Sequence, residues 1–357
     1  MRITLPDDAP ALYLITLMKM SIKVLTGWND GKTSTMKIAF VGKGGAGKTT
    51  LAALFSRRLA AQGRTVLALD ADINQNLAVA LGGTAEDAAT RPTLGAGLTD
   101  IKDYLRGDNP RISSVAAMVK TTPPGHGSRL LRVVEDNPLW QRYVYTVGGV
   151  RTAGTGAFTE SDLGVSCYHS KVGAVELILN HLVDADDEYV VVDMTAGADA
   201  FASGLFTRFD HTFVVCEPTV RGVGVYRQYL GYAAEYGVSV SVVGNKITDP
   251  ADEAFLREHI GTDLLACLPT SRYVRAAEQG RYGPISDLEP AGAAVLDRMR
   301  EAVDATPRDW QRFTALAAEF HLRNARAWAD AATGEDLGRQ IDPGFRHGTA
   351  ALTAPVR

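Results

Sequence analysis

A chain of 357 residues with 46% hydrophobic content is long enough to bury a core of its own, as one large domain or two modest ones. Lys plus Arg total 37 against 41 for Asp plus Glu, and the net charge of -4 excludes a general attraction to nucleic acid or anionic lipid. Three widely spaced cysteines, Cys167, Cys216 and Cys267, argue against a disulfide framework and for a reducing compartment, the cytoplasm.

Residues 1–35 differ in character from the rest. The apolar run ALYLITLM (11–18) follows Asp7 and Asp8 and is too short to span a bilayer, so it reads as neither signal peptide nor anchor. GWNDGKT (27–33) faintly echoes a phosphate-binding loop but is one residue short between its glycines. The stretch is read as an N-terminal extension, either a flexible tail or residues ahead of a natural start at Met36.

From Met36 short apolar runs alternate with helical patterns, as in an α/β fold with a doubly wound, mostly parallel sheet. KIAFV (37–41), TVLALD (65–70), YVVVD (189–193), TFVVC (212–216) and VSVSVV (238–243) read as strands, and their near-continuous apolar content predicts cover on both faces. LAALFSRRLAAQG, VGAVELILNHLV and VGVYRQYLGYAAEYG carry helical spacing between them. Residues 83–170 break the rhythm with clusters such as TTPPGHGS, which predicts an insertion with short elements of its own inside a domain spanning 36–305, and places His126 exposed on a flexible loop. Beyond Pro284 the pattern is helical, and 306–357 reads as a helical extension whose Gly-, Asp- and Arg-rich final stretch looks loosely ordered.

The stretch VGKGGAGKTT (41–50) contains G-x-x-x-x-G-K-T in Gly42, Gly47, Lys48 and Thr49, with a strand before it and a helix after it. Backbone N–H groups of such a loop and the positive end of the helix surround a polyphosphate, which a side chain in place of glycine would obstruct. Lys48 would reach the β- and γ-phosphates and Thr49 would offer its hydroxyl to Mg²⁺. Asp70 and Asp72, in DADINQN, leave their strand at the carboxyl edge of the sheet beside the loop. Asp193 ends YVVVD, aimed at the Mg²⁺ water shell, and Gly197 follows four residues on.

KGGAGKT (43–49), with a lysine directly after the first glycine, resembles the deviant Walker A motif of the MinD, ParA, nitrogenase iron protein and ArsA superfamily. The resemblance implies a slow, partner-regulated ATP hydrolase that forms an ATP-sandwich homodimer, in which Lys43 crosses to the partner's phosphates and acts as an arginine finger does elsewhere. It implies that Gly42, Lys43, Gly44, Gly45, Ala46, Gly47, Lys48, Thr49 and Thr50 hold the nucleotide, and that Asp72 orients or activates the attacking water. Thr49, Asp70 and Asp193 would attend Mg²⁺, the Gly197 backbone would lie near the γ-phosphate, and Asn245 in GNKI would recognise adenine. Leu268 and Pro269, in ACLPTSRYVRAAEQG, would belong to the loop that closes over the base.

Within the superfamily, LDADINQNLA, the stretch from VYTVGGVRTAGTGAF through GVSCYH, VVVDMTAGADAF and VVCEPTVRG are similar to the CooC family of nickel-insertion ATPases for carbon monoxide dehydrogenase. Two positions depart from that family: Cys167-Tyr168-His169 replaces Cys-x-Cys, and Thr195 stands where Glu is usual. In the family the cysteine pair of each subunit builds a metal site at the dimer axis. Two Cys-x-His pairs would still supply two thiolates and two imidazoles, a set suited to Zn²⁺ or Ni²⁺, but only after dimerisation. A Cys and a His two apart before a helix also serve as packing and capping residues, and that alternative stays open. Cys216 and Cys267 read as small buried hydrophobes.

Two functions follow: a metallochaperone or maturation factor for a metalloenzyme client, or a ParA- or MinD-like positioning or regulatory ATPase acting on DNA, membrane or a protein partner. A membrane-binding version needs a basic amphipathic C-terminal helix. In residues 309–330, Trp310, Phe313, Leu316, Ala317, Phe320 and Trp328 form an apolar face without a strong basic bias, which predicts packing on the domain. The sequence carries no strong sign of nucleic-acid or membrane binding.

Overall fold

The computed structural model describes residues 36–157, 168–183, 187–197, 201 and 204–352. The chain divides into two units, Met1–Thr33 and Ser34–Arg357, and every described residue belongs to the second. The N-terminal extension and its echo of a phosphate loop therefore lie outside the described residues.

Eight strands form one sheet: β1 (Met36–Gly42), β2 (Thr65–Ala71), β3 (Tyr145–Val147), β4 (Val150–Gly154), β5 (Glu188–Met194), β6 (His211–Cys216), β7 (Ser239–Ile247) and β8 (Leu264–Pro269). Their order across the sheet is β3-β4-β2-β5-β1-β6-β7-β8, and every pairing is parallel except β3 with β4. The three central strands β5, β1 and β6 are buried at every position.

Strand alternation sends successive side chains to opposite faces, so one apolar run feeds two cores. Ile38, Phe40, Val191 and Phe213 face Leu51, Phe55 and Leu59 of the helix Lys48–Ala61 and Leu296 and Met299 of the helix Pro290–Asp304. Ala39, Val41, Val190, Val192 and Val214 face Val175 and Ile178 of the helix Tyr168–His181 and Tyr226 and Tyr229 of the helix Val220–Glu235. Helices on both faces make the sheet doubly wound, as the β-α-β rhythm predicted.

Three strands escape the sequence reading. Strands β3 and β4 form a hairpin within residues 83–170 and extend the sheet beyond β2. Their connection, Gly148-Gly149, has φ of 57° and 81°, the paired positive φ that a two-residue hairpin turn demands. The third, β8, covers part of the stretch read as a loop over the base.

The last residues correct an expectation. The tail packs on the domain at Leu337, Gln340, Phe345 and His347, all buried. Leu337 joins Ala325 and Ala329 against Ala117 and Val119 of the insertion, a small third core. Polar contacts reinforce it: the Thr122 hydroxyl donates to Gln340 Oε1 at 2.9 Å, and Gln340 Nε2 donates to the Ala117 carbonyl at 2.8 Å. His126, expected on a flexible loop, is exposed yet paired with Asp342 at 2.6 Å. The helix Trp310–Asn324 packs Phe313, Leu316 and Ala317 on the domain, while a π-helical turn, Ala325–Ala329, breaks the α periodicity and leaves Trp328 half-exposed.

Candidate functional site

Strand β1 delivers the phosphate loop between two neighbours. A Cβ at Gly42, whose φ is 148°, would meet the Val215 carbonyl of β6 at 2.4 Å, so only glycine lets the chain leave the sheet there. Gly47, at φ 96°, ends the loop, and a Cβ on it would meet Asn245 Nδ2 at 2.2 Å. That amide donates to the Ala46 carbonyl at 2.7 Å, tying the loop to the end of β7.

Lys48 opens the helix Lys48–Ala61, is buried, and donates to the Lys43 carbonyl at 3.4 Å. The next residue, Thr49, donates its hydroxyl to Asp193 Oδ2 at 2.5 Å. Asp193 is fully buried at the end of β5, in register with Asp70 of β2. Burial pushes its carboxyl well above the ordinary range, and the charge of Asp70 pushes it further. Among the described residues Asp193 Oδ1 has no hydrogen-bond partner. An orphaned carboxylate oxygen beside a threonine hydroxyl is the hard-oxygen pairing that Mg²⁺ takes, so these residues fit the cation that the motif implies.

The other two acids are held by their own loop. Asp70 accepts the backbone N–H of Asp72 on Oδ1 at 3.0 Å and that of Leu77 on Oδ2 at 2.8 Å. Burial raises it to about 7 despite those bonds. Asp72 Oδ1 accepts both the backbone and side-chain N–H of Asn74 at 2.9 Å. Gln75, at φ 51°, donates to the Asp72 carbonyl and to Thr155 Oγ1, and its own Oε1 accepts the Gly156 N–H. It fastens this loop to the end of β4.

A cavity of about 860 Å³ opens over the phosphate loop. Gly44, Gly45, Gly47, Lys48, Thr49, Thr50, Asp72, Asn245, Leu268 and Pro269 all line it, together with residues that the motifs did not mark, such as Arg57, Lys246 and Tyr282. Gly42, Ala46, Asp70 and Asp193 stand behind its wall as the supports just described, and Gly197, at φ 73°, follows Ala196, which lines it. Of the lysines and acids that the motifs marked, Lys48 and Asp72 line the cavity and Lys43 does not.

Glu217 and Lys246 went unassigned. Glu217 follows β6 directly and accepts Lys43 Nζ on Oε2 at 3.3 Å and Lys246 Nζ on Oε1 at 2.7 Å. Lys246 also donates to the Gly45 carbonyl at 2.7 Å. It sits in the left-handed region, φ 61°, where the β7–β8 register slips, and that conformation costs about 1 kcal/mol for a residue with a side chain. Both residues lie inside quoted motifs, VVCEPT and GNKI, but their pairing joins separate strand ends.

The CobQ/CobB/MinD/ParA nucleotide binding domain matches residues 38–325, most of the chain. The chain belongs to that family. Among its curated relatives, the carbon monoxide dehydrogenase accessory protein CooC of Rhodospirillum rubrum is 29% identical over 74% of this chain and 97% of its own length. Solved structures share the fold: a chain of the MinC:MinD cell division complex of Aquifex aeolicus matches at TM-score 0.51 and 18% identity, over 77% of this chain and 98% of that one. The septum site-determining protein MinD of Pyrococcus horikoshii, complexed with Mg-ADP, matches at TM-score 0.50 and 18% identity, over 76% and 97%. Residues 326–357 of this family member lie beyond the matched domain.

The transition-metal expectation falls elsewhere. Cys167 lies outside the described residues, and position 169 is in the first turn of the helix Tyr168–His181. Among the described residues no group of three or more His, Cys, Asp or Glu is placed to hold a metal. Burial pushes the Cys216 thiol up to about 12, which keeps it protonated and inert. Among the described residues no helix is long and apolar enough to cross a membrane.

Proposed function

We propose that this chain is a Mg·ATP-dependent ATPase that dimerises around its nucleotide and works as a CooC-like maturation factor for a metalloenzyme. The observation that carries the ATPase reading is the Thr49–Asp193 pair, which joins an acid with an orphaned carboxylate oxygen to the helix that follows the glycine loop. Thr49 and Asp193 would hold Mg²⁺, which would supply charge neutralisation to the phosphates. Lys48 contacts the same phosphates, Asp72 orients the attacking water, and Asp70 supports the metal's water shell. Asn245, Leu268 and Pro269, which line the cavity, would receive adenine. Lys43 reaches the phosphates of a second protomer.

The maturation role is supported by similarity to CooC over nearly all of that protein's length. Cargo Zn²⁺ or Ni²⁺ would be held by Cys167 and His169 of two protomers together, so that nucleotide controls its uptake and release. The odd number of widely spaced cysteines suits work in the cytoplasm.

Native mass spectrometry with Mg·ATP and with Zn²⁺ or Ni²⁺ tests both halves. The expected species is a dimer carrying ATP and stoichiometric metal, with the metal absent in Cys167→Ser. An ATP dimer that retains no metal removes the maturation reading and keeps the ATPase. Retention of DNA at physiological salt would favour a positioning ATPase instead.

A further inference from the structure

Lys43 is the residue on which the proposed dimer depends, and in the single protomer its amine is already engaged. It lies 3.3 Å from Glu217 Oε2, inside its own chain. The same carboxylate holds Lys246 more closely, at 2.7 Å, and Lys246 is itself anchored to the loop carbonyl of Gly45. One acid thus serves two lysines at the lip of the phosphate loop. Lys43 cannot occupy this pairing and a partner's phosphates at once.

The asymmetry between the two lysines matters. Glu217 is largely shielded from solvent, with 14% of its side chain exposed, so stripping its only cation would leave a partly desolvated charge uncompensated. With Lys246 in place that does not happen: the longer, weaker contact to Lys43 opens while the shorter one persists. The strained backbone of Lys246 keeps its amine over the loop, where a relaxed strand residue would project to one face of the sheet.

We infer that Glu217 is a positioning residue for Lys43: it holds that lysine within its own protomer until Mg·ATP and a second protomer draw it away, and Lys246 keeps the carboxylate paired afterwards. The inference rests on the proposed action of Lys43 across the dimer. It predicts opposite effects from removing the two groups that flank the contact. Glu217→Gln frees Lys43 and lowers the protein concentration needed for the ATP dimer. Lys246→Met leaves Glu217 with Lys43 alone, tightens that pair, and raises it. A partly exposed ion pair is worth up to about fivefold, and both protomers open one, so the dimer dissociation constant should shift by up to about 25-fold.

Sedimentation velocity with Mg·ATP on wild type, Glu217→Gln, Lys246→Met and the double variant tests this, read beside ATPase rate against protein concentration. The expected result is tighter dimers for Glu217→Gln, weaker ones for Lys246→Met, and a double variant that behaves as Glu217→Gln. A general structural lesion would weaken both single variants in the same direction, and that result, or a Glu217→Gln dimer no tighter than wild type, overturns the inference. Lys43→Ala separates the two levels: wild-type dimerisation and hydrolysis in that variant would remove the trans-lysine reading itself, whereas an impaired Lys43→Ala with an unshifted Glu217→Gln removes only the role of Glu217.

Discussion

The Asn245 side chain donates to the Ala46 carbonyl from the space that a Cβ on Gly47 would need. The loop is therefore braced from β7 as well as carried by β1, and its shape depends on a glycine and an amide held in contact. Gly47→Ala combines a 2.2 Å clash with a φ of 96° that disfavours any side chain. Nucleotide affinity, measured by calorimetry, should fall at least about tenfold, the equivalent of about 1.4 kcal/mol. Asn245→Ala should weaken binding less, because it removes the brace without forcing the loop aside.

Asp193→Asn separates metal from fold. Without a cation, Asp193 is held in a dry site beside Asp70, where its charged form is disfavoured. The neutral amide removes that repulsion, so the nucleotide-free protein should melt at an equal or higher temperature. The extra stabilisation from adding Mg²⁺ to the ATP complex should shrink sharply. Thermal shift with ATP alone and with Mg·ATP measures both, and an unchanged Mg²⁺ increment would remove Asp193 from the metal site.

Buried histidines tie the C-terminal extension to the domain and make its attachment sensitive to acid. His347 Nε2 donates to the Asn180 carbonyl at 2.9 Å, and burial lowers its pKa to about 3; burial likewise lowers His181 and His211 to about 4. These rings stay neutral when folded and take up protons when unfolded below about 6.5. Their contribution is present above that value and is lost as pH falls from about 6.5 toward 4, by about 1.4 kcal/mol per unit for each ring. Asp70, raised to about 7, acts in the opposite sense over part of the same range. The measurement is therefore a difference: denaturant unfolding of His347→Gln at pH 7.5 and 5.5 should show a shallower loss than wild type, by about 1.4 kcal/mol over the unit below 6.5.

Leu337→Ala tests whether the tail is structural. The side chain is fully buried in the small core shared with the insertion, and truncations of this kind cost about 2 to 5 kcal/mol. Chemical denaturation should show that loss, and hydrogen exchange should show faster opening across 117–122. A change under about 0.5 kcal/mol would mean that the tail is not integral to the fold.

Strands β1, β2, β5, β6 and β7 were legible because burial on both faces leaves near-continuous apolar runs such as YVVVD. The β3–β4 hairpin was not, because three-residue β3 is partly exposed and lacks such a run; only Gly148-Gly149 marked it. The tail misled by composition: it is rich in Gly, Asp and Arg, while its packing rests on a few residues, Leu337, Gln340, Phe345 and His347. At the site, Lys48, Thr49 and Asp193 were readable since each sits at a fixed offset from a strand end. The cis partnership of Lys43 with Glu217 was not, since 174 residues separate them and only the β1–β6 pairing makes them neighbours.

The bond from Thr122 to Gln340 spans 218 residues, and that from Gln340 to Ala117 spans 223. On a ribosome the insertion emerges long before the segment that completes its packing. Residues 117–122 must wait, with their hydroxyls and small apolar surface uncovered, until Ala325, Ala329, Leu337 and Gln340 have been made. The loop closures involved are among the longest the molecule contains, and contacts of such range slow folding. The segment around Leu337 and Gln340 therefore closes the packing of the insertion, and a chain lacking it would leave 117–122 open to proteases while much of the sheet stood formed.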